Sequence, residues 1–330
     1  MKKRNTTARV GFDLGGTKMM ATVYDANFKA LATVKVKTPV DEGPQVIQAR
    51  VRETIANALR AAKVPVRALR SIGVGCPGVL DLNEGIILQA PNLGMKRVPL
   101  RALLAKQFRC RVVLANDVDA GTYGEYRFGA AQGARTVVGV FPGTGIGGGC
   151  IYEGQLLRGK NGSAMEIGHV PILENGRLCG CGKFGCLEAH AGRLAIAAEV
   201  AQAVSRGEAP FLASHGGTDL KKIKSGLLAK AIRAGDAAVE QIVCHAMRRM
   251  GRAIGGVVNL LAPDVVVLGG GMVEAMPRLI LNEVKAGLKE TAMTPLARNV
   301  KVVAAKLGEQ YPVRGGRPAA RKRGLGLFPK

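Results

Sequence analysis

The stretch Val10-Gly-Phe-Asp13-Leu-Gly15-Gly16-Thr17-Lys18-Met-Met-Ala-Thr-Val-Tyr24 decides the fold. Its apolar residues form two short runs, Val10 to Asp13 and Met19 to Tyr24, joined by a glycine turn, which predicts a β-hairpin. About 127 residues further on the pattern returns: strand Thr136 to Phe141, a Gly/Thr turn at Pro142 to Gly149, and return strand Cys150 to Tyr152. A strand, glycine turn, strand unit used twice predicts two like-folded domains. Between the copies lie an amphipathic helix (Pro44 to Ala62), a buried strand (Ser71 to Val74), a helix (Pro99 to Phe108) and a strand (Val112 to Ala115). After the second copy come helices Arg193 to Arg206 and Asp236 to Leu260, strand Val265 to Leu268, a helix from about Met276 to Met293, and strand Val300 to Ala304. The class is α/β. A small domain is expected over 1–115, a larger one over 116–309 with a metal loop at 169–186, and an atypical basic tail over 310–330.

The 330 residues are 47% hydrophobic and 22% charged, the balance of a soluble globular chain long enough for two domains. The apolar stretch after Met1-Lys2-Lys3-Arg4 is broken by Asp13 and Lys18, so it is not read as a signal peptide. The best bilayer candidate, Gly255 to Leu268, is interrupted by Pro263 and Asp264, so a membrane span is not expected and the cytoplasm is. A formal net charge of +24 raises the question of nucleic acid. The basic residues are spread along surface helices without interleaved aromatic rings to stack on bases, so nucleic acid is not expected as a partner.

Three of the seven cysteines, Cys179, Cys181 and Cys186, lie within eight residues and follow His169. One imidazole and three thiolates complete a tetrahedral zinc site, and with no position open for water such a site is structural. The other four, Cys76, Cys110, Cys150 and Cys244, read as buried thiols. In Asp13 to Lys18 the glycines let backbone N–H groups approach phosphate oxygens, Thr17 adds a hydroxyl, and Asp13 can hold Mg²⁺ through water. The same residues are also ordinary turn chemistry. Pro142 to Gly149 carries more glycine than a hairpin needs, which favours two phosphate loops. Val113-Leu-Ala-Asn116-Asp117 delivers a carboxylate at a strand's C-terminal end, where Asp117 can accept a substrate hydroxyl proton. Asn116 and Asp117 equally suit the cap of a helix over 118–125. Glu166 and Glu188 flank the cysteine loop and suit neighbouring sugar hydroxyls, or form a surface pair.

Together these residues resemble the ROK family of bacterial sugar kinases and repressors over residues 8 to about 308. The matching motifs are Asp13-Leu-Gly-Gly-Thr-Lys18, Gly75-Cys-Pro-Gly78, Pro91-Asn92-Leu, Asn116-Asp117, Gly143-Thr-Gly-Ile-Gly-Gly-Gly149, Glu166-Ile-Gly-His169, Cys179-Gly-Cys-Gly-Lys-Phe-Gly-Cys186-Leu-Glu188 and Gly269-Gly-Gly271. The resemblance implies two ribonuclease H-like (actin-like ATPase) domains around an interdomain cleft, and ATP-dependent phosphorylation of a hexose, glucose favoured, at its 6-hydroxyl. Mg²⁺ would accompany ATP and Zn²⁺ would be structural. It implies Asp117 as catalytic base, with Asn92, Asn116, Asp117, Glu166, His169 and Glu188 against the sugar. Asp13, Gly15, Gly16, Thr17, Lys18, Gly143, Thr144, Gly145 and Gly147 would hold the nucleotide phosphates, and Gly269, Gly270 and Gly271 the adenosine. His169, Cys179, Cys181 and Cys186 would be the metal ligands, and a homodimer is expected. Repressors of the family carry a helix-turn-helix ahead of the kinase-like body. Here Asp13 already sits in the first phosphate loop, so a kinase is expected rather than a regulator or a sugar-sensing protein. After Leu307-Gly308-Glu309 the pattern departs from the family's small-residue helix into Pro312, Gly315, Gly316 and Pro318, which cannot propagate a helix and which we read as the trace of a shifted reading frame.

Overall fold

The computed structural model describes residues 7–160, 162 and 164–308; the tail 310–330 lies outside the described residues. The described chain separates into two compact units, one reaching to Gln132 and including Gly154–Ala164, the other formed by Gly133–Glu153 and Met165–Gly308.

In the first unit, β1 (Ala8–Leu14), β2 (Lys18–Tyr24), β3 (Ala30–Lys37), β4 (Leu69–Cys76) and β8 (Arg111–Asn116) form one sheet in the order β3-β2-β1-β4-β8. β1 runs antiparallel to β2 and parallel to β4, and β4 runs parallel to β8. The parallel strands are buried on both faces, which is why Phe12, Leu14, Ile72, Val74 and Leu114 belong to near-continuous apolar runs. Helix α1 (Pro44–Ala61) starts at a proline that needs no N–H partner and buries Ile47, Val51, Ile55, Ala58 and Leu59. Edge strand β3 exposes Lys35 and Lys37, charges that discourage pairing with another chain. A small antiparallel sheet of β5 (Val79–Asp81), β6 (Ile86–Ala90) and β7 (Met95–Val98) precedes α2 (Leu100–Phe108). Helix α3 (Asp117–Phe128) continues straight from β8 and packs on β4 and β8. Contacts therefore carry the first unit past the boundary expected after Ala115.

In the second unit, β9 (Val137–Pro142), β10 (Ile146–Tyr152), β11 (Val265–Leu268) and β12 (Lys301–Ala304) lie in the order β10-β9-β11-β12. β9 and β10 are antiparallel and the remaining pairs parallel, so the arrangement β2-β1-β4-β8 of the first unit is used again. The return strand starts at Ile146, four residues before the expected Cys150, and the turn shrinks to Gly143–Gly145. Gly147, Gly148 and Gly149 are ladder residues opposite Phe141, Val140 and Gly139. Glycine is needed at 148 because a Cβ there would stand 2.9 Å from Ile167 Cγ2 and closer to the Met165 carbonyl.

The helices of this unit are α4 (Leu187–Ala191), α5 (Arg193–Ser205), α6 (Pro210–His215), α7 (Ser225–Arg233), α8 (Ala237–Leu261), α9 (Gly271–Ala275), α10 (Pro277–Thr291) and α11 (Thr294–Asn299). α8 forms the spine, burying Val239, Val243, Met247, Met250, Ile254 and Val258 at intervals of three and four. Each such side chain contributes roughly 1.5–3 kcal/mol when removed from water. α8 and α10 touch backbone to backbone: a Cβ on Gly251 would meet Gly287 Cα at 3.0 Å. Among the described residues, no helix is long and apolar enough to cross a membrane.

Candidate functional site

In the first unit the strand register does the assembling. Asp13 pairs with Gly75, Gly75 with Ala115, and Cys76 with Asn116. Asp13 and the Asn116-Asp117 pair therefore emerge at one end of the sheet, two strand spacings or roughly 10 Å apart along the row. Cys76 lies beneath them. Its thiol is fully buried and donates to Ala115 O at 3.7 Å. Burial pushes it far above the ordinary thiol range, and the charges of Asp117 and Asp13 push the same way. Asn116 Oδ1 accepts the N–H of Val118 at 2.9 Å and of Asp119 at 3.3 Å, capping α3, and Asp117 Oδ1 accepts the Val118 N–H at 3.0 Å. The capping role is thus real, and it fixes the backbone from which the half-exposed Asp117 projects.

The first glycine turn is held from behind. Thr38, which is buried, donates its hydroxyl to Gly15 O at 2.7 Å and its N–H to Thr17 O at 3.0 Å. Because C=O and the next N–H of a trans peptide point opposite ways, the N–H of Gly16 is turned away from Thr38. A Cβ on Gly15 would stand 2.7 Å from Lys18 O, so only glycine closes the turn. Thr17 is exposed and Lys18 half-buried. Exposed Asn92 borders the turn, its Cβ lying 3.6 Å from where a Gly16 Cβ would be.

The second turn, Gly143–Gly145, is held by α4 and α5. The carbonyls of Gly143 and Thr144 accept the N–H groups of Arg193 at 3.0 Å and Leu194 at 3.3 Å. Glu188 Oε2, from α4, accepts the Ile146 N–H at 2.8 Å. Gly269 and Gly270 border the strand that leads into this turn, and Gly271 opens α9. Gly269 N–H donates to Val140 O at 3.1 Å, and a Cβ on Gly270, at φ 89°, would meet Pro142 O at 3.0 Å. A cavity of about 430 Å³ opens beside the turn, lined by Thr144, Glu188, Arg177, Cys179, Leu194 and Glu199 among others.

The ligand atoms of His169, Cys179, Cys181 and Cys186 all lie within 4.8 Å of one another. His169 Nδ1 is 3.6 Å from Cys179 Sγ, and Cys181 Sγ is 3.7 Å from Cys186 Sγ. Tetrahedral zinc, with Zn–S about 2.3 Å and Zn–N about 2.0–2.1 Å, requires S···N and S···S edges of roughly 3.5 and 3.8 Å. The donor set and its spacing fit that ion. The loop closes through Cys179 N–H to Lys183 O at 2.8 Å and Gly182 N–H to Cys179 O at 2.9 Å, with Gly182 at φ 85°. Cys186 immediately precedes α4, whose second residue is Glu188, so the cysteine loop and the second glycine turn share one short helix. Exposed Glu166 and His169 bracket a single 3-10 turn, the His169 N–H donating to Glu166 O at 2.9 Å.

Each expected site residue thus falls into one of two groups. Asp13 to Lys18, Asn92, Asn116 and Asp117 gather in the first unit; Glu188, the second turn, Gly269–Gly271, Glu166 and the His/Cys cluster gather in the second. Gly147 departs from its expected loop position and sits in β10 opposite Phe141. Sequence reasoning passed over Thr38 and Arg193, and read Cys76 as a buried thiol without placing it at the site. Cys76 had a signal, its place inside Gly75-Cys-Pro-Gly78, whereas Thr38 and Arg193 act through contacts 23 and 49 residues away.

Two units with one strand order, each presenting a glycine turn, define a two-domain α/β protein of the ribonuclease H-like, actin-like ATPase class. Within that class the chain belongs to the ROK family, whose model matches residues 9–322. A glucokinase from Thermotoga maritima is 31% identical over 95% of this chain and 97% of its own. An N-acetyl-D-glucosamine kinase from Vibrio vulnificus is 31% identical over 92% of this chain and 96% of its own. The crystal structure of a ROK family glucokinase from Streptomyces griseus, in complex with glucose and AMPPNP, matches with a TM-score of 0.82 at 30% identity, covering 94% of this chain and 97% of that one.

Proposed function

We propose that the protein transfers the γ-phosphoryl group of ATP to the 6-hydroxyl of a hexose, glucose being favoured, to give ADP and hexose 6-phosphate. The observation that carries the chemistry is the register that sets Asp13 and Asp117 at one sheet end. The likeness to a glucokinase at 31% identity along nearly the whole chain supports the substrate class.

In this reading the hexose hydroxyl oxygen attacks the γ-phosphorus, the bond to the β-phosphate oxygen breaks, and the hydroxyl proton passes to the Asp117 carboxylate. Asn116, with its Oδ1 engaged in the cap, offers its amide N–H groups to a sugar hydroxyl. Asn92, Glu166, Glu188 and the Nε2 side of His169 complete the sugar contacts. The N–H groups of the two glycine turns and the hydroxyls of Thr17 and Thr144 bind phosphate oxygens, with Lys18 and Gly147 beside them and Gly269–Gly271 receiving the adenosine. Asp13 would hold, through water, the Mg²⁺ that accompanies ATP, an ion that would supply positive charge against the phosphates. His169, Cys179, Cys181 and Cys186 would hold Zn²⁺ in a structural role, fixing the start of α4 and through it Glu188.

The test is a coupled ADP-release assay with glucose, fructose, mannose, allose and N-acetylhexosamines. Hexose-dependent ADP release, highest with glucose, supports the reading. Sugar binding without ADP release in any case refutes the kinase and favours a sugar-sensing protein. The homodimer follows from the family resemblance; light scattering at a single chain mass would end that part.

A further inference from the structure

Arg193 opens α5 and makes three contacts with its surroundings. Its backbone N–H donates to Gly143 O at 3.0 Å, one guanidinium nitrogen donates to Thr144 Oγ1 at 3.2 Å, and the other donates to Ile223 O at 3.2 Å. The next residue, Leu194, donates its N–H to Thr144 O at 3.3 Å. These contacts dictate where the turn's own donors point. The peptide plane that directs Gly143 O into α5 directs Thr144 N–H the opposite way, and the plane that directs Thr144 O into α5 does the same for Gly145 N–H. A hydroxyl oxygen that accepts from a guanidinium keeps its own hydrogen for a different acceptor. The first turn of α5 therefore turns two successive N–H groups and one O–H of Gly143–Gly145 outward together.

We infer that Arg193 is a positioning residue for phosphoryl transfer: with the α5 N-terminus it orients Thr144 and Gly145 as a three-donor cradle for a nucleotide phosphate. The inference rests on the kinase reading above and names the residue that presets its second phosphate loop. Burial lowers the Arg193 guanidinium from its usual range while leaving it a cation, so a positive charge also stands directly behind the Thr144 hydroxyl. Ile223 O fixes the far side of the guanidinium, so the fork cannot swing away from Thr144. Gly192 lets the helix come this close, since a Cβ there would stand 3.3 Å from Thr144 O and 2.8 Å from Glu188 O.

The experiment is a double-mutant cycle with Arg193→Met, which keeps the aliphatic bulk, and Thr144→Ala. Two quantities are read: the dissociation constant for the Mg²⁺ complex of a non-hydrolysable ATP analogue, and kcat and KM for ATP and glucose. Arg193→Met should weaken analogue binding about tenfold and raise the KM for ATP by a similar factor, with the KM for glucose within twofold of wild type. In the Thr144→Ala background the same change should cost less than threefold, because the hydroxyl it orients is gone. An equal cost in both backgrounds, or a loss shared equally between ATP and glucose, would show a general structural role and overturn the inference. If the wild type releases no ADP with any hexose yet the binding cycle still shows coupling, the kinase reading fails and the positioning role of Arg193 stands.

Discussion

Gly145→Ala isolates the link between the metal-side helix α4 and the second glycine turn. A methyl group on Gly145 would lie 2.7 Å from Glu188 Cδ and nearer still to Oε2. Carbon atoms settle at about 3.5–4.0 Å, so the carboxyl group must retreat by roughly 1 Å. The 2.8 Å hydrogen bond from Ile146 N–H to Glu188 Oε2 then stretches beyond bonding range. Losing a hydrogen bond to a charged acceptor costs about 1.5–3 kcal/mol. For a unit of this size that lowers Tm by roughly 3–12 °C. If Glu188 also binds the sugar, a displacement of that size lowers kcat/KM on the order of a hundredfold. Gly143→Ala is the internal control. It lies two residues away, its φ is not left-handed, and its nearest neighbour would be Gly145 O at 4.0 Å, so Tm should stay within about 1 °C. Thermal unfolding followed by circular dichroism and the coupled kinase assay read both effects. Equal Tm values for the two variants would refute the steric reasoning, and a wild-type kcat/KM for Gly145→Ala would refute the role given to Glu188.

Metal removal forms a second test: purified protein should contain one zinc per chain by elemental analysis, and Cys181→Ser should lower that content together with Tm and activity, whereas an unchanged Tm in metal-free protein would contradict a structural ion. Asn116→Ala should lose about 1 kcal/mol with the α3 cap and raise the KM for hexose. Asn116→Asp, which keeps the capping oxygen, should recover Tm but not KM; if KM recovers as well, the amide N–H groups do not serve the sugar. The Asp264 carboxylate is held below its usual pKa by the N–H groups of Thr136 and Arg135. Its stabilisation is present above the ordinary carboxylate value near pH 4 and is lost as pH falls through the depressed one. Asp264→Asn should therefore flatten the acid limb of a Tm-against-pH curve, and an unaltered limb would show that other carboxylates set it.

The duplicated hairpin was legible because β1, β2 and β9 are mostly buried apolar runs and because β1 and β9 lead directly into glycine turns, a pattern that leaves little choice but buried strands. The spine helix α8 was legible within one residue at each end, since its buried positions recur at helical spacing over 25 residues. The glycine run 147–149 misled. Glycine usually marks a turn, but here Gly148 makes room for Met165 and Ile167 to lie on β10, a tertiary demand with no local trace. Edge strand β3 and helix α7 do carry periodicity, the alternation of Thr33 to Lys37 and the apolar face of Ser225–Arg233, and were overlooked, whereas α4, α6, α9 and α11 span only five or six residues and are too short for a helical period to show. At the candidate site, the His/Cys cluster was readable from spacing alone, because four ligands within eighteen residues leave few geometries. The props behind the two glycine turns, Thr38 and Arg193, were not readable, since nothing near either residue announces a partner so far along the chain.

The proposed phosphoryl transfer depends on Asp117. In Asp117→Asn the neighbouring Asn116 still caps α3, so the fold has no reason to change. Loss of a general base lowers kcat by about 10²–10⁴-fold. The direct measurement is kcat of Asp117→Asn in the ADP-release assay beside its glucose affinity by calorimetry: the account predicts at least a hundredfold fall in kcat with glucose binding within a few-fold of wild type. A variant that binds glucose normally and keeps more than a tenth of wild-type turnover would contradict it.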